Sequence, residues 1–163
     1  MIIEGRAVVI EGDDVDTDVM YPGEFLNIDD PEQMKPYLFE GYDPALRDQL
    51  GEDAVLVTGW NFGIGSSREH VPQAMKAWGV RCVLGKSFAR IFRRNCVNLG
   101  LPIVECPEAA EAARPGSRVR LDTESGAVEV DGTRFQARPV AALVRELQDA
   151  GGLVPWARER TRA

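Results

Sequence analysis

Residues 54–84 read AVLVTGWNFGIGSSREHVPQAMKAWGVRCVL. Ala54 to Thr58 is a short apolar run closed by Gly59, the length and composition of a strand buried on both faces. Asn61-Phe62-Gly63-Ile64-Gly65-Ser66-Ser67-Arg68-Glu69-His70 then gathers glycines, hydroxyls and charges. From Ser67 to Trp78 the apolar spacing turns helical, Gly79 stops it, and Val80 to Leu84 is again continuously apolar. Strand, glycine-rich loop, helix, strand is the order of a parallel crossover, so this stretch predicts an α/β fold.

On its N-terminal side, Arg6 to Ile10 predicts a strand and Glu11-Gly12-Asp13-Asp14 a turn. Residues 24–50 are mixed: Pro31 opens a helix through Leu38 and Pro44 another through Leu50, with Asp29, Asp30 and Asp43 as caps. On the C-terminal side, Ser87 is the expected cap of an amphipathic helix with Phe88, Ile91, Phe92, Asn95 and Leu99 on one face and Gly100 as its stop. Pro102 to Glu105 completes a second crossover. Ser117 to Leu121, Ala127 to Val130 and Thr133 to Gln136 predict strands joined by Ser125-Gly126 and Asp131-Gly132, and a closing helix runs from Val140 to Ala150. With no linker or repeat, the expectation is a single α/β domain, residues 1–163, whose crossover core carries added β-hairpins.

Composition excludes several functions. The chain is 163 residues, 44% hydrophobic, and has no apolar run near twenty residues, which fits a globular protein and not a membrane span. A net charge of -7 disfavours nucleic acid and anionic membranes, both of which need a basic face. The start, Met1-Ile2-Ile3-Glu4-Gly5-Arg6, lacks the basic and apolar regions of a secretory signal, so a cytoplasmic location is expected. Cys82, Cys96 and Cys106 sit in apolar surroundings, form no CxxC, and have a single histidine in the whole chain to assist them; no metal site is expected here. Asp14-Val15-Asp16-Thr17-Asp18 alternates like a calcium loop, but Val19 and Phe25 stand where such a loop needs Gly and Glu.

The chemistry is concentrated in residues 61–70. Gly63 and Gly65 permit a sharp bend or a close approach, Arg68 offers two parallel donors to a carboxylate, and the amides opening the next helix add positive potential. Ser66 or Ser67 could act as a base only if such donors stabilise charge developing on its oxygen. A structural reading stands beside this one. Ser66-Ser67-Arg68-Glu69 is also a capping box, although it would put Pro72 in the second helical turn, and His70 is either a structural donor or a catalytic group. Arg93 and Arg94 read as a solvated helix face. A nucleophile elbow is excluded, since Glu69 replaces the second glycine of GxSxG.

Residues 61–70 resemble the NFGxGSSRE signature of the swivelling domain of the aconitase superfamily. Asp14-Val15-Asp16-Thr17-Asp18 with Pro22 resembles its DxDTDxI-P motif, Lys86-Ser87-Phe88-Ala89-Arg90-Ile91 its KSFARI motif, and Gly151-Gly152-Leu153-Val154-Pro155 a common ending. Ile64 departs from the many members that have Cys there. In size and motif order the chain is most similar to small subunits of 3-isopropylmalate dehydratases, with homoaconitase small subunits close by. The resemblance implies a large partner subunit holding a [4Fe-4S] cluster, over which the small subunit closes, and a chain inactive by itself that self-associates when isolated. It implies Ser66 as the base that takes a proton next to a carboxylate, Ser67 and Arg68 as substrate ligands, and Asp18, Arg90, Gly63, Gly65 and His70 as supports. The implied reaction is dehydration and rehydration that moves a hydroxyl, with the partner's iron accepting hydroxide, within leucine biosynthesis.

Substrate choice in this family resides in the loop after DxDTDxI-P, where homoaconitases tend to carry Arg. Here Phe25-Leu26 precedes Asn27-Ile28, so the resemblance favours isopropylmalate, or an alkylmalate such as citramalate or dimethylmalate, over homoaconitate. Residues 23–42 are expected to be mobile without the partner. A non-catalytic ligand-binding module is the alternative of a different class.

Overall fold

In a computed structural model, described over residues 1–162, seven strands form one sheet in the order β4-β3-β2-β1-β5-β6-β7. The strands are β1 (Ile2–Val9), β2 (Ala54–Thr58), β3 (Cys82–Gly85), β4 (Ile103–Glu105), β5 (Arg118–Asp122), β6 (Ala127–Val130) and β7 (Thr133–Gln136). The helices are α1 (Thr17–Met20), α2 (Pro31–Met34), α3 (His70–Ala77), α4 (Arg90–Leu99), α5 (Pro107–Ala112), α6 (Ala142–Ala150) and α7 (Leu153–Arg162). β1 is the junction: it pairs parallel with β2 (Val8 opposite Leu56) and antiparallel with β5 (Ile3 opposite Leu121). Parallel pairing continues through β3 to β4, and antiparallel pairing through β6 to β7.

Alternate residues of the parallel strands feed two cores, which is why their sequences are continuously apolar. Val8, Leu56 and Val83 face Val71, Ala74 and Met75 of α3 and Phe92 and Cys96 of α4. Ala7, Val55, Val57, Cys82 and Leu84 face Ala109 and Ala110 of α5 together with Val119, Leu121, Val128 and Val130 of the antiparallel half. Because α5 touches β3, β6 and β7, the sheet curls around it. Each fully buried aliphatic side chain contributes about 1.5–3 kcal/mol relative to exposure.

The mixed α/β domain with crossovers and hairpins is the expected one; several boundaries moved. β1 starts at Ile2, because pairing with β5 carries the ladder through Glu4 and Gly5, residues of low strand propensity. The helix expected from Ser67 begins at His70, which puts Pro72 in its first turn, where no backbone donor is required. The helix expected from Ser87 begins at Arg90 without a side-chain cap, and Ile91 faces outward, 46% exposed. α5 and α7 were not anticipated, although Pro107 before an alanine-rich run is a helix-start signal. Gly100 and Gly151 stop α4 and α6 in left-handed backbone, as their positions predict.

Residues 23–42, expected to be mobile without the partner, fold into short elements packed on the core. Short helical turns at Gly23–Phe25, Pro31–Met34 and Lys35–Tyr37 are pinned by fully buried Met34, Leu38 and Phe39, and Phe39 and Gly41 donate backbone bonds to Met20 and Val19. Asp30 and Asp43 cap their helical turns; Asp29 does not. Among the described residues, no helix is long and apolar enough to cross a membrane.

Candidate active site

Three loops leave the carboxyl ends of adjacent parallel strands β1, β2 and β3, the edge at which open α/β sheets place their ligands. They continue the sheet's pairing beyond the strands. Asp16 bridges Ile64 and Phe62 bridges Phe88, both in parallel fashion. Gly63 donates to the Val15 carbonyl at 2.9 Å, Thr17 to Ile64 at 2.9 Å, Phe62 to Ser87 at 3.1 Å and Ala89 to Phe62 at 3.0 Å. The serine loop is therefore the middle strand of a three-stranded continuation and cannot begin a helix at Ser66.

The alternating acids of residues 13–18 clasp this loop. Asp13 accepts the Trp60 amide at 2.9 Å, Asp14 the Asn61 side-chain amide at 3.0 Å, and Asp16 caps α1 through the Asp18 amide at 2.7 Å. Thr17 donates its hydroxyl to the Ser66 carbonyl at 2.7 Å. Apart from the local Asp16 cap, these partners lie 47–49 residues away along the chain, and together the contacts account for the acids of this segment.

Both glycines of the signature are required. Gly63 (φ +87°) and Gly65 (φ +93°) lie in left-handed backbone, and a Cβ on either would overlap the Phe92 ring or the Asp16 carboxylate respectively. The bend they create presents Ser66 and Ser67 on an exposed surface.

The Ser66 hydroxyl donates to Asp18 Oδ1 at 2.5 Å, so the capping box does not form; Glu69 stands at the N-cap with no side-chain bond. Arg68, only 15% exposed, lies with Nε 3.1 Å from the same Asp18 oxygen. That N–H is not aligned as a hydrogen bond, so attraction between charges dominates the contact. Nη1 donates to the Tyr21 carbonyl at 2.6 Å. Ser66, Asp18 and Arg68 thus converge on one carboxylate oxygen. Ser67 receives a long contact, 3.4 Å, from the side-chain amide of Asn95, a buried polar residue of α4. Spacing alone places Asn95 on a helix face; its polarity among apolar neighbours is the sequence signal for a site role.

His70 stacks on Tyr21 (ring centroids 5.0 Å apart) and shares a 3.1 Å hydrogen bond with the Leu26 carbonyl. It ties the serine loop to residues 25–28. Burial, then the neighbouring Tyr37, pushes the Tyr21 phenol up from its ordinary value, keeping it a neutral donor to the Phe25 carbonyl at 2.8 Å. Asn27 is exposed, whereas Ile28 is half-buried against the core, leaving it less surface for a ligand than expected; exposed Leu26, not singled out in the sequence, is the larger free apolar group. Arg90 opens α4, exposed, and makes no hydrogen bond or ion pair among the described residues, so it is not drawn into the Ser66 cluster.

The cysteines do not fit an iron–sulfur cluster. Cys96 lies in the core on one face of the sheet and Cys82 and Cys106 in the core on the other; burial raises all three thiols above their ordinary range, opposing the thiolate form that ligation needs. Among the described residues, no group of three or more His, Cys, Asp or Glu side chains is placed to hold a metal ion.

A sequence profile of the aconitase C-terminal domain matches residues 29–109. The chain is 42% identical to the 3-isopropylmalate dehydratase small subunit of Caldanaerobacter subterraneus subsp. tengcongensis, over 98% of this chain and all of that one. It is 45% identical to 3-isopropylmalate dehydratase small subunit 1 of Methanopyrus kandleri, over 94% of this chain and 91% of the relative. A crystal structure of 3-isopropylmalate dehydratase from Methanocaldococcus jannaschii superposes with a TM-score of 0.90 at 37% identity, covering 99% of this chain and 96% of that one. The chain therefore belongs to the family of 3-isopropylmalate dehydratase small subunits, within the aconitase superfamily.

Proposed function

We propose that this chain is the cytoplasmic small subunit of a two-subunit hydro-lyase that interconverts 2- and 3-isopropylmalate in leucine biosynthesis, with Ser66 as base and Arg68 as carboxylate ligand. The observation that carries this reading is the convergence of Ser66 and Arg68 at a glycine-framed, exposed bend on the carboxyl edge of the parallel sheet. Arg68 reaches a carboxylate already, in Asp18, and a substrate carboxylate competes for the same guanidinium. Ser67, held toward Asn95, adds a hydroxyl beside it. A substrate carboxylate on Arg68 places its neighbouring C–H near Ser66, one residue along the bend from Ser67.

Departure of the hydroxyl needs a Lewis acid that these residues do not provide, and in this reading it belongs to a large partner subunit with a [4Fe-4S] cluster. The small subunit alone is then inactive. Within the loop tied to the site by His70, Leu26 offers apolar surface and Asn27 no charge, which supports an alkyl-substituted malate over a substrate with a third charged carboxylate. Homoaconitase activity remains the second substrate reading and a catalytically silent binding module the third.

The test is reconstitution with the large subunit encoded by the same organism. Wild type is expected to turn over isopropylmalate in preference to cis-homoaconitate and citraconate. Ser66→Ala should abolish turnover with substrate binding retained. Preference for the tricarboxylate overturns the use of Asn27, and an active Ser66→Ala variant overturns the serine base.

A further inference from the structure

We propose that Asp18 is the proton acceptor behind Ser66, and that a substrate carboxylate at Arg68 loosens the Arg68–Asp18 contact. The inference rests on the serine-base reading above and adds a second group to it. The Ser66 hydroxyl donates to Asp18 Oδ1 at 2.5 Å. With its proton directed at Asp18, Ser66 turns its lone pairs away from that carboxylate, as an acceptor must. A resting Ser66 alkoxide is incompatible with this arrangement, since it would place two negative charges at hydrogen-bond distance. A relay removes the conflict. The substrate C–H bond breaks with its electron pair staying on carbon, a new O–H bond forms at Ser66 Oγ, and the original Ser66 O–H proton passes to Asp18 Oδ1. In the return direction Asp18 gives it back.

The same Asp18 oxygen supplies the control. Without substrate, Arg68 Nε lies 3.1 Å from it, an ion pair on the same oxygen that accepts the Ser66 proton. A substrate carboxylate entering the guanidinium fork competes with Asp18 for one cation and loosens that contact at the moment Ser66 must part with its proton. The charged groups around Asp18 are Arg68 on the serine loop and Asp16, whose Oδ1 accepts the Asp18 amide at 2.7 Å. The pair is held in register. Thr17, the preceding residue, is locked to the serine loop by both its backbone amide and its hydroxyl.

Turnover of the reconstituted complex in mixtures of H2O and D2O tests the relay without altering a residue. The substrate C–H does not exchange with solvent, so during dehydration the relay puts one solvent-derived proton in flight, that of the Ser66 hydroxyl: initial dehydration rates should fall linearly with deuterium fraction, and a rate independent of that fraction overturns the proposal. Asp18→Asn, which preserves shape and accepts the hydroxyl hydrogen bond but cannot take its proton, should lower kcat about 100-fold with KM changed less than about threefold. Asp18→Glu should recover part of that loss. An Asp18→Asn complex with kcat within about threefold of wild type, or changed in KM alone, leaves Asp18 as a positioning residue and overturns the relay. Ser66→Ala, measured alongside, separates the two ideas: if it stays active, the serine base falls; if it is dead while Asp18→Asn is active, only the relay falls.

Discussion

In the proposed mechanism Arg68 has two tasks whose separation is measurable. Its planar fork matches a carboxylate bidentately, while its charge acts on Asp18 whatever the shape of the head group. Arg68→Lys keeps the charge and loses the fork. Charge-assisted hydrogen bonds contribute about 1.5–3 kcal/mol each, so KM of the reconstituted enzyme should rise roughly 10- to 100-fold with a smaller fall in kcat. Equal losses in Arg68→Lys and Arg68→Ala would mean that the fork is not used. Asn27→Arg belongs to the same scale: a cation in the loop tethered by His70 should raise kcat/KM for a tricarboxylate relative to isopropylmalate, and an unchanged ratio removes Asn27 from substrate choice.

At the scale of elements, the serine loop holds its shape because two other loops flank it. Gly63 sits against Phe92 of α4 in left-handed backbone, so Gly63→Ala combines a conformational cost of about 1–2 kcal/mol with an overpacking cost of about 1–3 kcal/mol. The urea midpoint should fall by the equivalent of roughly 2–5 kcal/mol; an unchanged midpoint would show that the bend relaxes. The same loops mark the limit of what the sequence discloses. The crossover around residues 54–84 is legible because strand, glycine bend and helix each carry a local signal, and so are the hairpin turns at Ser125-Gly126 and Asp131-Gly132. The starts of α3 and α4 are not. Residues 61–66 and 87–89 are drawn into bridges with distant loops, and this long-range pairing overrides the local helical pattern of Ser67 and the local cap of Ser87. Ser66 and Arg68 were identifiable as residue types suited to carboxylate chemistry; their shared contact with Asp18, forty-eight residues before Ser66, required the fold.

The whole molecule adds two predictions. The sheet separates the three thiols between two cores, and burial raises Cys82 and Cys96 well above the ordinary value of 9.0. A group whose folded pKa exceeds its unfolded value contributes stability that is intact below the unfolded value and lost as pH rises toward the folded one. Unfolding free energy should accordingly fall above about pH 9, at up to about 1.4 kcal/mol per pH unit for each thiol, and Cys82→Ala should flatten that slope between pH 9 and 10.5. A slope identical to wild type would mean that the thiol does not stay protonated in the native core. The second prediction concerns the face around the serine loop. Trp60, 47% exposed, opens the loop beside Asp13; Ile91, 46% exposed, follows the residue that opens α4; Val19 and Leu26 adjoin Asp18 and the His70 contact. Exposed apolar side chains gathered on one face are what a partner subunit covers, and tryptophan is among the residue types that dominate such interfaces. Trp60→Glu should weaken association with the large subunit at least tenfold, whereas Ile2→Glu, more exposed at 55% but at the amino end of β1, should leave it unchanged. Titration of labelled small subunit with its partner reads both constants directly, and equal effects at the two positions would place the interface elsewhere.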